Sequence, residues 1–413
     1  MALIVQKFGG TSLAGAEKIH AAARRAIRAK REHDRVVVVV SAMDRTTDEL
    51  TDLAYQITDR PSRREMDQLL ATGEQVSIAL MAMAIHHAGH DAISLTGGQI
   101  GLRTDRAFGR ARIREITQRS RILSLLEQGS IVIVAGFQGV DEAAHVTTLG
   151  RGGSDTTAVA LAASLEADSC EIYTDVDGIY SADPRIVPEA RKLSHIYYDE
   201  MLELASLGAQ VLHSRSVELG KNYGVVIRVR SSYTDAEGTD IVNESADLEQ
   251  VIVRGAALKK DLARVELNGV PNIPGLASRI FSRIARRDVI VDDIIQVVHD
   301  GGATANLSFT IDAADKEQAR AAGEELAREM TGMKVEIKEN LAKVSVVGVG
   351  MRTHTGVASR MFEALHQADV NIDNISTSEI VISCVIKADD GERALRVIHA
   401  AFELDEDAAQ DDA

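Results

Sequence analysis

The C-terminal part of the chain repeats itself, and this repeat restricts the possible folds more than any other feature. Residues 275–281 (GLASRIF) recur as residues 356–362 (GVASRMF), and residues 288–294 (DVIVDDI) recur as residues 369–375 (DVNIDNI). The spacing is the same for both segments, so the two copies align without a gap. A chain of this kind therefore carries two similar modules in tandem.

Each copy has the order of elements of a small α/β module. An apolar strand precedes each copy, at residues 263–267 and 343–347, and a further strand and a second helix follow, with the helices at 316–330 and 391–402. A β-α-β-β-α-β unit of about 70 residues is typical of a ferredoxin-like module. We predict two such modules, at residues 258–335 and 340–405, that bury each other's sheets.

The first 250 residues follow a different rhythm, in which short apolar strands alternate with amphipathic helices. We predict strands at 3–5, 36–40, 92–95, 131–134, 170–173 and 225–229, and helices at 14–30, 65–87, 112–127, from about 154, and at 210–220. Five consecutive valines at 36–40 indicate a strand that is buried on both faces. The fold class is α/β, with a largely parallel sheet between helical layers, and ligands bind such sheets at the carboxyl ends of the strands.

Charge and composition exclude several classes of function. The 413 residues include 46 Lys and Arg against 62 Asp and Glu, a formal charge of −16, which disfavours binding to nucleic acid or to anionic lipid. The longest apolar runs are too short to span a bilayer, and the N-terminal residues do not resemble a signal peptide. Two cysteines cannot form a disulfide framework, and we expect a cytoplasmic protein.

Two glycine-containing basic loops precede helices. The first, KFGGTS at residues 7–12, places Lys7 at a strand end, and Gly9 and Gly10 allow backbone N–H groups to approach an anion. The second, GRGGSDTT at residues 150–157, offers Arg151 for bidentate capture of a carboxylate. Each loop alone is explained by a tight turn or a helix cap, and neither the Walker nor the Rossmann pattern is present. Together they predict one site with anionic groups on both sides, as phosphoryl transfer to a carboxylate requires.

A third segment, YTDVDGIYSADPR at residues 173–185, follows a strand and is rich in turn residues. Its aspartates have neither the spacing nor the closing Glu of a calcium loop. We interpret it as part of a nucleotide pocket. His86, His87 and His90 lie near a helix end, where imidazole suits the helix dipole, and we predict no metal-ligating residues.

These motifs, taken in order, resemble aspartokinase over essentially the whole chain. The matching segments are VQKFGGTS at 5–12, VVVSAM at 38–43, TTD at 46–48, GE at 73–74, GFQG at 136–139, TLGRGGSD at 148–155 and YTDVDG at 173–178. The tandem modules are similar to the paired ACT regulatory domains of that family. The resemblance implies an amino-acid-kinase fold and the reaction of ATP with L-aspartate to give ADP and L-aspartyl-4-phosphate, the first step towards lysine, threonine and methionine.

The resemblance also implies roles for individual residues. Lys7 and Asp155 are expected to be catalytic. The expected substrate-binding residues are Ser41, Thr47, Glu74, Arg151 and Ser154. The expected ATP-binding residues are Lys7, Phe8, Gly9, Gly10, Thr174, Asp175, Tyr180 and Arg185. Mg²⁺ is expected to bridge phosphate oxygens of ATP. A carboxylate nucleophile is already ionised at neutral pH, so no general base is required.

The ACT modules are expected to bind lysine, threonine or both as effectors, and to assemble the chain into a homo-oligomer. The expected effector-binding residues are Ile273, Pro274, Gly275, Leu276, Ala277, Asp292, Gln296, Asn374 and Ile375. Two alternatives to aspartate kinase remain open. One is a kinase of the same fold that acts on glutamate, N-acetylglutamate or UMP. The other is an amino-acid sensor without catalytic activity.

Overall fold

The computed structural model describes residues 2–208, 211–244, 252–330 and 332–405. They form two compact units. The first consists of the described residues of Met1–Tyr180, Lys192–Ser206 and Gln210–Asp247. The second consists of the described residues of Ser181–Arg191, Leu207–Ala209 and Leu248–Ala413.

The first unit alternates strands and helices along most of its length. Its strands are β1 (Leu3–Phe8), β2 (Arg35–Val40), β3 (Ala92–Leu95), β4 (Leu102–Thr104), β5 (Ile113–Ile116), β6 (Ile131–Ala135), β7 (Gln138–Val140), β8 (Val146–Thr148), β9 (Ser169–Thr174), β10 (His195–Tyr197), β11 (Ile227–Ser231) and β12 (Thr239–Val242). Its helices are α1 (Ala16–His33), α2 (Thr46–Ile57), α3 (Arg63–Leu70), α4 (Thr72–His87), α5 (Arg119–Glu127), α6 (Gly153–Leu165), α7 (Tyr198–Ser206) and α8 (Ser214–Tyr223).

An eight-stranded sheet in the order β10-β12-β11-β9-β1-β2-β6-β3 forms the centre of this unit. Its neighbours are parallel except for β11 and β12, which confirms the predicted largely parallel sheet. Val36, Val38 and Val40 pack with apolar residues of α1 and α4 on one face. Val37 and Val39 point to the other face and are equally buried, so the valine strand is covered on both sides as predicted.

Three predicted helices differ from the structure. The helix predicted at 65–87 is two helices, α3 and α4, that meet at Ala71. At this joint the Gln138 amide donates to the Ala71 carbonyl oxygen and the Thr72 hydroxyl donates to that of Leu69, so side chains take up backbone acceptors. The helix predicted at 210–220 is α8, which begins at Ser214; Gln210 lies outside the described residues.

The third difference is the helix predicted at 112–127. Only its second half is helical, as α5, while its first half is strand β5, which pairs antiparallel with β4. The β-branched residues Ile113 and Ile116 suit a strand. Pairing of β5 with β4 overrides the helix-like spacing of apolar residues in this segment. β4, β5, β7 and β8 form a separate four-stranded sheet in the order β5-β4-β7-β8.

The second unit is built around one six-stranded sheet in the order β14-β15-β13-β16-β18-β17. Its strands are β13 (Gly255–Pro271), β14 (Asp292–His299), β15 (Thr304–Asp312), β16 (Lys334–Val347), β17 (Asn374–Thr377) and β18 (Val381–Lys387). Its helices are α9 (Leu276–Ala285), α10 (Lys316–Glu329), α11 (Val357–Gln367) and α12 (Gly391–Ala401).

The two repeats share the long strands β13 and β16. The C-terminal half of β13 pairs with β15 and with the N-terminal half of β16, which completes the first repeat. The N-terminal half of β13 pairs instead with the C-terminal half of β16, so Gly255 lies opposite Val347. The last strand of the second repeat thus precedes the first repeat in the chain. We predicted two consecutive βαββαβ units and did not foresee that the N-terminal half of β13 completes the second repeat. The ranges 258–335 and 340–405 for the two modules remain a prediction.

Among the residues that the structure describes, one helical stretch, Arg63–His87, is long and apolar enough to cross a membrane by length and composition. Half of its apolar window is buried inside the protein, and the stretch is divided at Ala71 into α3 and α4.

Candidate active site

A cavity of about 750 Å³ opens in the first unit. Neighbouring strands place its walls together, because β1 runs parallel to β2 and β9 and their carboxyl ends share one edge of the sheet. The lining residues include, of those predicted from the sequence, Lys7, Gly10, Ser41, Thr47, Glu74, Arg151, Ser154 and Asp155. Lys7 and Arg151 therefore face the same cavity, as the two-loop interpretation requires.

Lys7 and Asp155 form an ion pair at the base of this cavity. Nζ of Lys7 lies 2.6 Å from Oδ1 of Asp155, and each side chain is little more than a tenth exposed. Lys7 is near the end of β1, and Asp155 is in the first turn of α6, so strand and helix fix the pair. Burial excludes most competing water, which makes the positive charge of Lys7 more effective toward an anion.

The two glycine loops approach neighbouring backbone and side chains too closely for a larger residue. A Cβ atom at Gly10 would lie 2.7 Å from the carbonyl oxygen of Ala42. Gly152 has φ of +66°, and a Cβ there would lie 2.2 Å from Cβ of His213. Both positions therefore require glycine, one for space and the other for space and conformation.

Glu74 lies in the first turn of α4 and is 3% exposed. Its Oε1 accepts a hydrogen bond from the Ala42 amide at 3.0 Å, whereas its buried Oε2 has no hydrogen-bond partner within the described ranges. Burial raises the pKa of Glu74 to about 7, although the hydrogen bond from Ala42 opposes this shift. A cationic ligand in the cavity would supply the missing partner.

Arg151 lies on the loop between β8 and α6 and is exposed to the cavity. In the part of the chain that the structure describes, its guanidinium makes no ion pair. Gly150 and Gly152 on either side both have positive φ, of +80° and +66°. Phe137, which also lines the cavity, adopts a positive φ of +67°, a strained conformation for a residue with a large side chain.

The predicted nucleotide residues do not line this cavity, apart from Lys7 and Gly10. Thr174 ends β9 beside the end of β1, and its hydroxyl donates to Asp175. The Tyr180 hydroxyl donates to Asp177 at 2.8 Å. The ring of Phe8 is buried and stacks on Tyr173 at 4.8 Å, which leaves only its backbone for a ligand.

Gly9 donates its backbone N–H to the carbonyl oxygen of Tyr173 and so joins the first glycine loop to the end of β9. Arg185 belongs to the second unit and forms a bidentate ion pair with Asp183, in which Nε donates to Oδ1 and Nη2 donates to Oδ2. Its place in an ATP site stays a prediction, as does that of the other nucleotide residues.

Several cavity residues were not predicted from the sequence. They include Asp44, Thr51, Tyr55, Arg63, Met66, Asp67, Leu70, Phe108, Gly109, Arg110, Phe137, Thr148 and Gly150. Most lie on α2, on α3 or on the loop after β4, where a sequence offers no motif. Phe137, Thr148 and Gly150 lie inside segments that carried the family resemblance, and that proximity was the one available signal.

Asp67 is the most buried of these charged side chains, at 1% exposed. It accepts hydrogen bonds from the backbone N–H groups of Thr148 and Gly109 and from the Thr148 hydroxyl. Burial raises the pKa of Asp67, although these hydrogen bonds oppose the shift.

Within the described ranges, no group of three or more His, Cys, Asp or Glu side chains is arranged to hold a metal ion. Imidazole Nε2 of His86 is hydrogen-bonded to the carbonyl oxygen of Ala92 at 2.8 Å.

In the second unit, part of the predicted effector site comes together. The Gln296 amide on β14 donates to the side-chain oxygen of Asn272, in the loop that leads to Gly275 and α9. Asp292, also on β14, pairs with the buried ammonium of Lys343 at 2.5 Å. Ile273 in the same loop is 61% exposed.

Asn374 and Ile375 lie on β17, at the opposite edge of the sheet from β14. Within one chain, four strands separate them from the rest of the predicted effector residues, so the structure does not bring the whole set together. Nδ2 of Asn374 is buried without a hydrogen-bond partner in the described part of the chain.

Sequence comparison places both units in known families. The pattern of the amino acid kinase family matches residues 2–231, and two ACT-domain patterns match residues 264–329 and 344–402. The aspartokinase of Bacillus sp. (strain MGA3) is 51% identical over 405 residues, which cover 98% of this chain and 98% of that protein.

Two solved structures are similar along the chain. E. coli aspartokinase III in complex with aspartate and ADP (R-state) superposes with a TM-score of 0.81 at 25% identity, covering 97% of this chain and 99% of that one. The complex of the same enzyme with lysine and aspartate (T-state) superposes with a TM-score of 0.78, at the same identity and coverage.

Proposed function

The chain belongs to the aspartokinases, within the amino acid kinase family, and on that premise we propose that it transfers the γ-phosphoryl group of ATP to the side-chain carboxylate of L-aspartate. The products are ADP and L-aspartyl-4-phosphate, the starting material for lysine, threonine and methionine. The observation that carries the proposal is the shared cavity, which is lined by the buried Lys7–Asp155 pair and by Arg151 and Glu74, neither of which makes an ion pair within the described residues.

The reaction joins two anions, and the charges of the cavity suit this problem. A side-chain carboxylate oxygen of aspartate attacks the γ-phosphorus, a new P–O bond forms, and the bond to the β–γ bridging oxygen breaks with its electron pair leaving on ADP. The nucleophile needs no base. Lys7 neutralises charge on the transferring group, and Asp155 holds the Lys7 ammonium in place.

Arg151 and Glu74 select a free α-amino acid. The guanidinium binds the α-carboxylate bidentately, and Glu74 binds the α-ammonium, while Ser41, Thr47 and Ser154 add hydrogen bonds. N-Acetylglutamate has no ammonium for Glu74, and UMP has neither group. Glutamate differs from aspartate by one methylene, which a pocket discriminates only by about 1–3 kcal/mol.

We propose that ATP binds beside the first glycine loop, with Phe8, Gly9, Gly10, Thr174, Asp175 and Tyr180 of the first unit as its contacts. Mg²⁺ would bind together with the nucleotide and would supply charge neutralisation at its phosphates.

We propose that an amino-acid end product, lysine, threonine or both, binds the ACT domains and inhibits the enzyme. The contact between Gln296 and Asn272 supports an effector site at the start of α9. The separation of Asn374 and Ile375 from this site within one chain supports a homo-oligomer, in which a second chain contributes the other edge. The buried thiols of Cys170 and Cys384 support a cytoplasmic location.

An acyl-phosphate trap tests the activity directly. The full-length chain is incubated with ATP, Mg²⁺ and hydroxylamine, together with aspartate, glutamate or N-acetylglutamate, and the hydroxamate is quantified; UMP is tested separately by ADP release. We expect hydroxamate from aspartate at a rate well above that from the others. Activity with a rival substrate but not with aspartate, or no activity with any, contradicts the proposal.

A further inference from the structure

The backbone around Arg151 is held by a turn, in which the Gly153 N–H donates to the Gly150 carbonyl oxygen at 3.0 Å, but no side-chain contact aims the guanidinium in the described part of the chain. Arg151 stands between Gly150 and Gly152, both with left-handed backbone angles, and its guanidinium is unpaired within the described residues. Glycine on both sides increases the conformational freedom of the backbone. A guanidinium that must meet a carboxylate with bidentate geometry therefore needs an anchor elsewhere. The residues immediately before the loop, Thr148 and Leu149, provide it.

Asp67 of α3 holds Thr148 from one side. Its Oδ2 accepts the backbone N–H of Thr148 at 2.8 Å and that of Gly109 at 3.0 Å, and its Oδ1 accepts the Thr148 hydroxyl at 2.8 Å. Both oxygens of this carboxylate are engaged, although Asp67 lines the cavity. It is therefore occupied by protein rather than available as a direct ligand.

Arg215 of α8 holds the next residue. Its Nη1 donates to the carbonyl oxygen of Leu149 at 2.8 Å, and its Nη2 donates to that of Ala111 at 2.8 Å. The Ala111 N–H in turn donates to the carbonyl oxygen of Thr148 at 2.9 Å. Two consecutive residues before Gly150 are thus fixed from two helices, and the loop at 109–111 is fixed with them.

We propose that Asp67 and Arg215 are positioning residues for substrate binding, which act by holding Thr148 and Leu149 so that Arg151 points at the α-carboxylate of the substrate. This inference rests on the proposed function. Neither residue is assigned a contact with aspartate or ATP. Their removal is expected to weaken aspartate binding selectively, because the ATP contacts lie on other loops.

Four variants of the full-length chain test the inference through KM for aspartate and KM for ATP, measured separately. Asp67→Ala and Arg215→Ala are expected to raise KM for aspartate at least ~10-fold, the scale of a misdirected charge-assisted hydrogen bond, with KM for ATP within about twofold of wild type. Asp67→Asn is expected to rescue most of the loss. Its amide oxygen still accepts both N–H groups, and the Thr148 hydroxyl can accept from the amide. Arg215→Lys keeps the charge but cannot span both carbonyl groups, and an intermediate KM is expected.

Matched controls separate positioning from general damage. Asp91→Ala and Arg24→Ala remove exposed charges outside the cavity and are expected to leave both KM values unchanged. Melting temperatures confirm that the variants are folded. If an alanine variant does not fold, the Asp67→Asn and Arg215→Lys variants still test the inference. It requires that KM for aspartate is lower in Asp67→Asn than in Arg215→Lys.

A folded Asp67→Ala or Arg215→Ala variant with wild-type KM for aspartate overturns the inference. An equal rise of both KM values does so too, because it indicates a structural role for the whole site. A wild-type chain that forms no aspartyl hydroxamate contradicts the proposed function itself. An active wild type with unaffected variants contradicts the positioning role alone.

Discussion

The ammonium of Lys7 lies 2.6 Å from the carboxylate of Asp155, and both are nearly buried at the junction of β1 and α6. The carboxylate holds the ammonium in position while no phosphate is bound. Conversion of Asp155 to Asn would remove the counter-charge but keep the size of the side chain. We expect kcat to fall at least ~10-fold and the melting temperature to fall as well, because a buried charge loses its partner.

The control for this change is the exposed pair Lys221–Asp199, also close at 2.5 Å. Asp199→Asn is expected to leave kcat and stability nearly unchanged, since exposed pairs contribute little. Equal effects of the two substitutions would indicate that Asp155 has no special role.

We expect the binding of aspartate to depend on pH through Glu74. Because burial raises its pKa to about 7, a falling pH progressively neutralises the group that we assign to the substrate ammonium. We expect KM for aspartate to rise as pH falls from 8 to 6, and KM for ATP to change less. Glu74→Gln should have a high KM for aspartate at every pH in this range. If KM for aspartate in Glu74→Gln still depends on pH, another group is responsible for the dependence.

The same group affects stability. The folded-state pKa of Glu74 lies above its ordinary value of 4.5, so the folded chain binds more protons than the unfolded chain between about pH 4.5 and 7. The stability of the wild type therefore decreases as pH rises through this window, because a buried carboxylate must ionise. Glu74→Gln does not titrate, and its advantage in melting temperature over the wild type is expected to grow from pH 5 to pH 8. A constant difference would contradict the raised pKa.

The two glycine loops were recognisable in the sequence because their proposed function depends on particular residue types. Lys7, Gly10, Arg151 and Asp155 lie in short segments where a strand ends or a helix begins, and such segments gather at one edge of a parallel sheet. Glu74 carried no such signal. It lies in α4 just after the joint at Ala71, whose carbonyl oxygen accepts a hydrogen bond from the amide of the distant Gln138.

Other features depend on pairing between distant parts of the chain. The strand β5 at Ile113–Ile116 forms against β4, and the helical period of residues 112–127 gave no indication of it. Likewise, Gly255 lies beside Val347 because β13 serves both repeats, whereas the repeat alone implied consecutive modules. Asp67 and Arg215 were missed for a similar reason, since their partners lie on the separate loops at 109–111 and 148–149.

Gly152 is expected to tolerate no side chain. Gly152→Ala places a Cβ 2.2 Å from Cβ of His213 in a backbone with φ of +66°, so both packing and conformation oppose it. We expect a loss of at least ~1–3 kcal/mol of stability and a marked loss of activity. Gly89→Ala is the matched control, because Gly89 has φ of +80° but no atom within 4 Å of the new Cβ. If the two variants unfold at the same temperature, the contact with His213 is not the cause.

The central claim is that Lys7 cancels charge on the phosphoryl group during its transfer to aspartate. The most direct test is kcat for aspartyl hydroxamate formation by Lys7→Ala at saturating ATP and aspartate, with the exposed Lys221→Ala as control. We predict a loss of at least ~100-fold for Lys7→Ala, the scale for one charge donor at a transition state, and little change for Lys221→Ala. A folded Lys7→Ala variant that turns over at the wild-type rate would contradict the account.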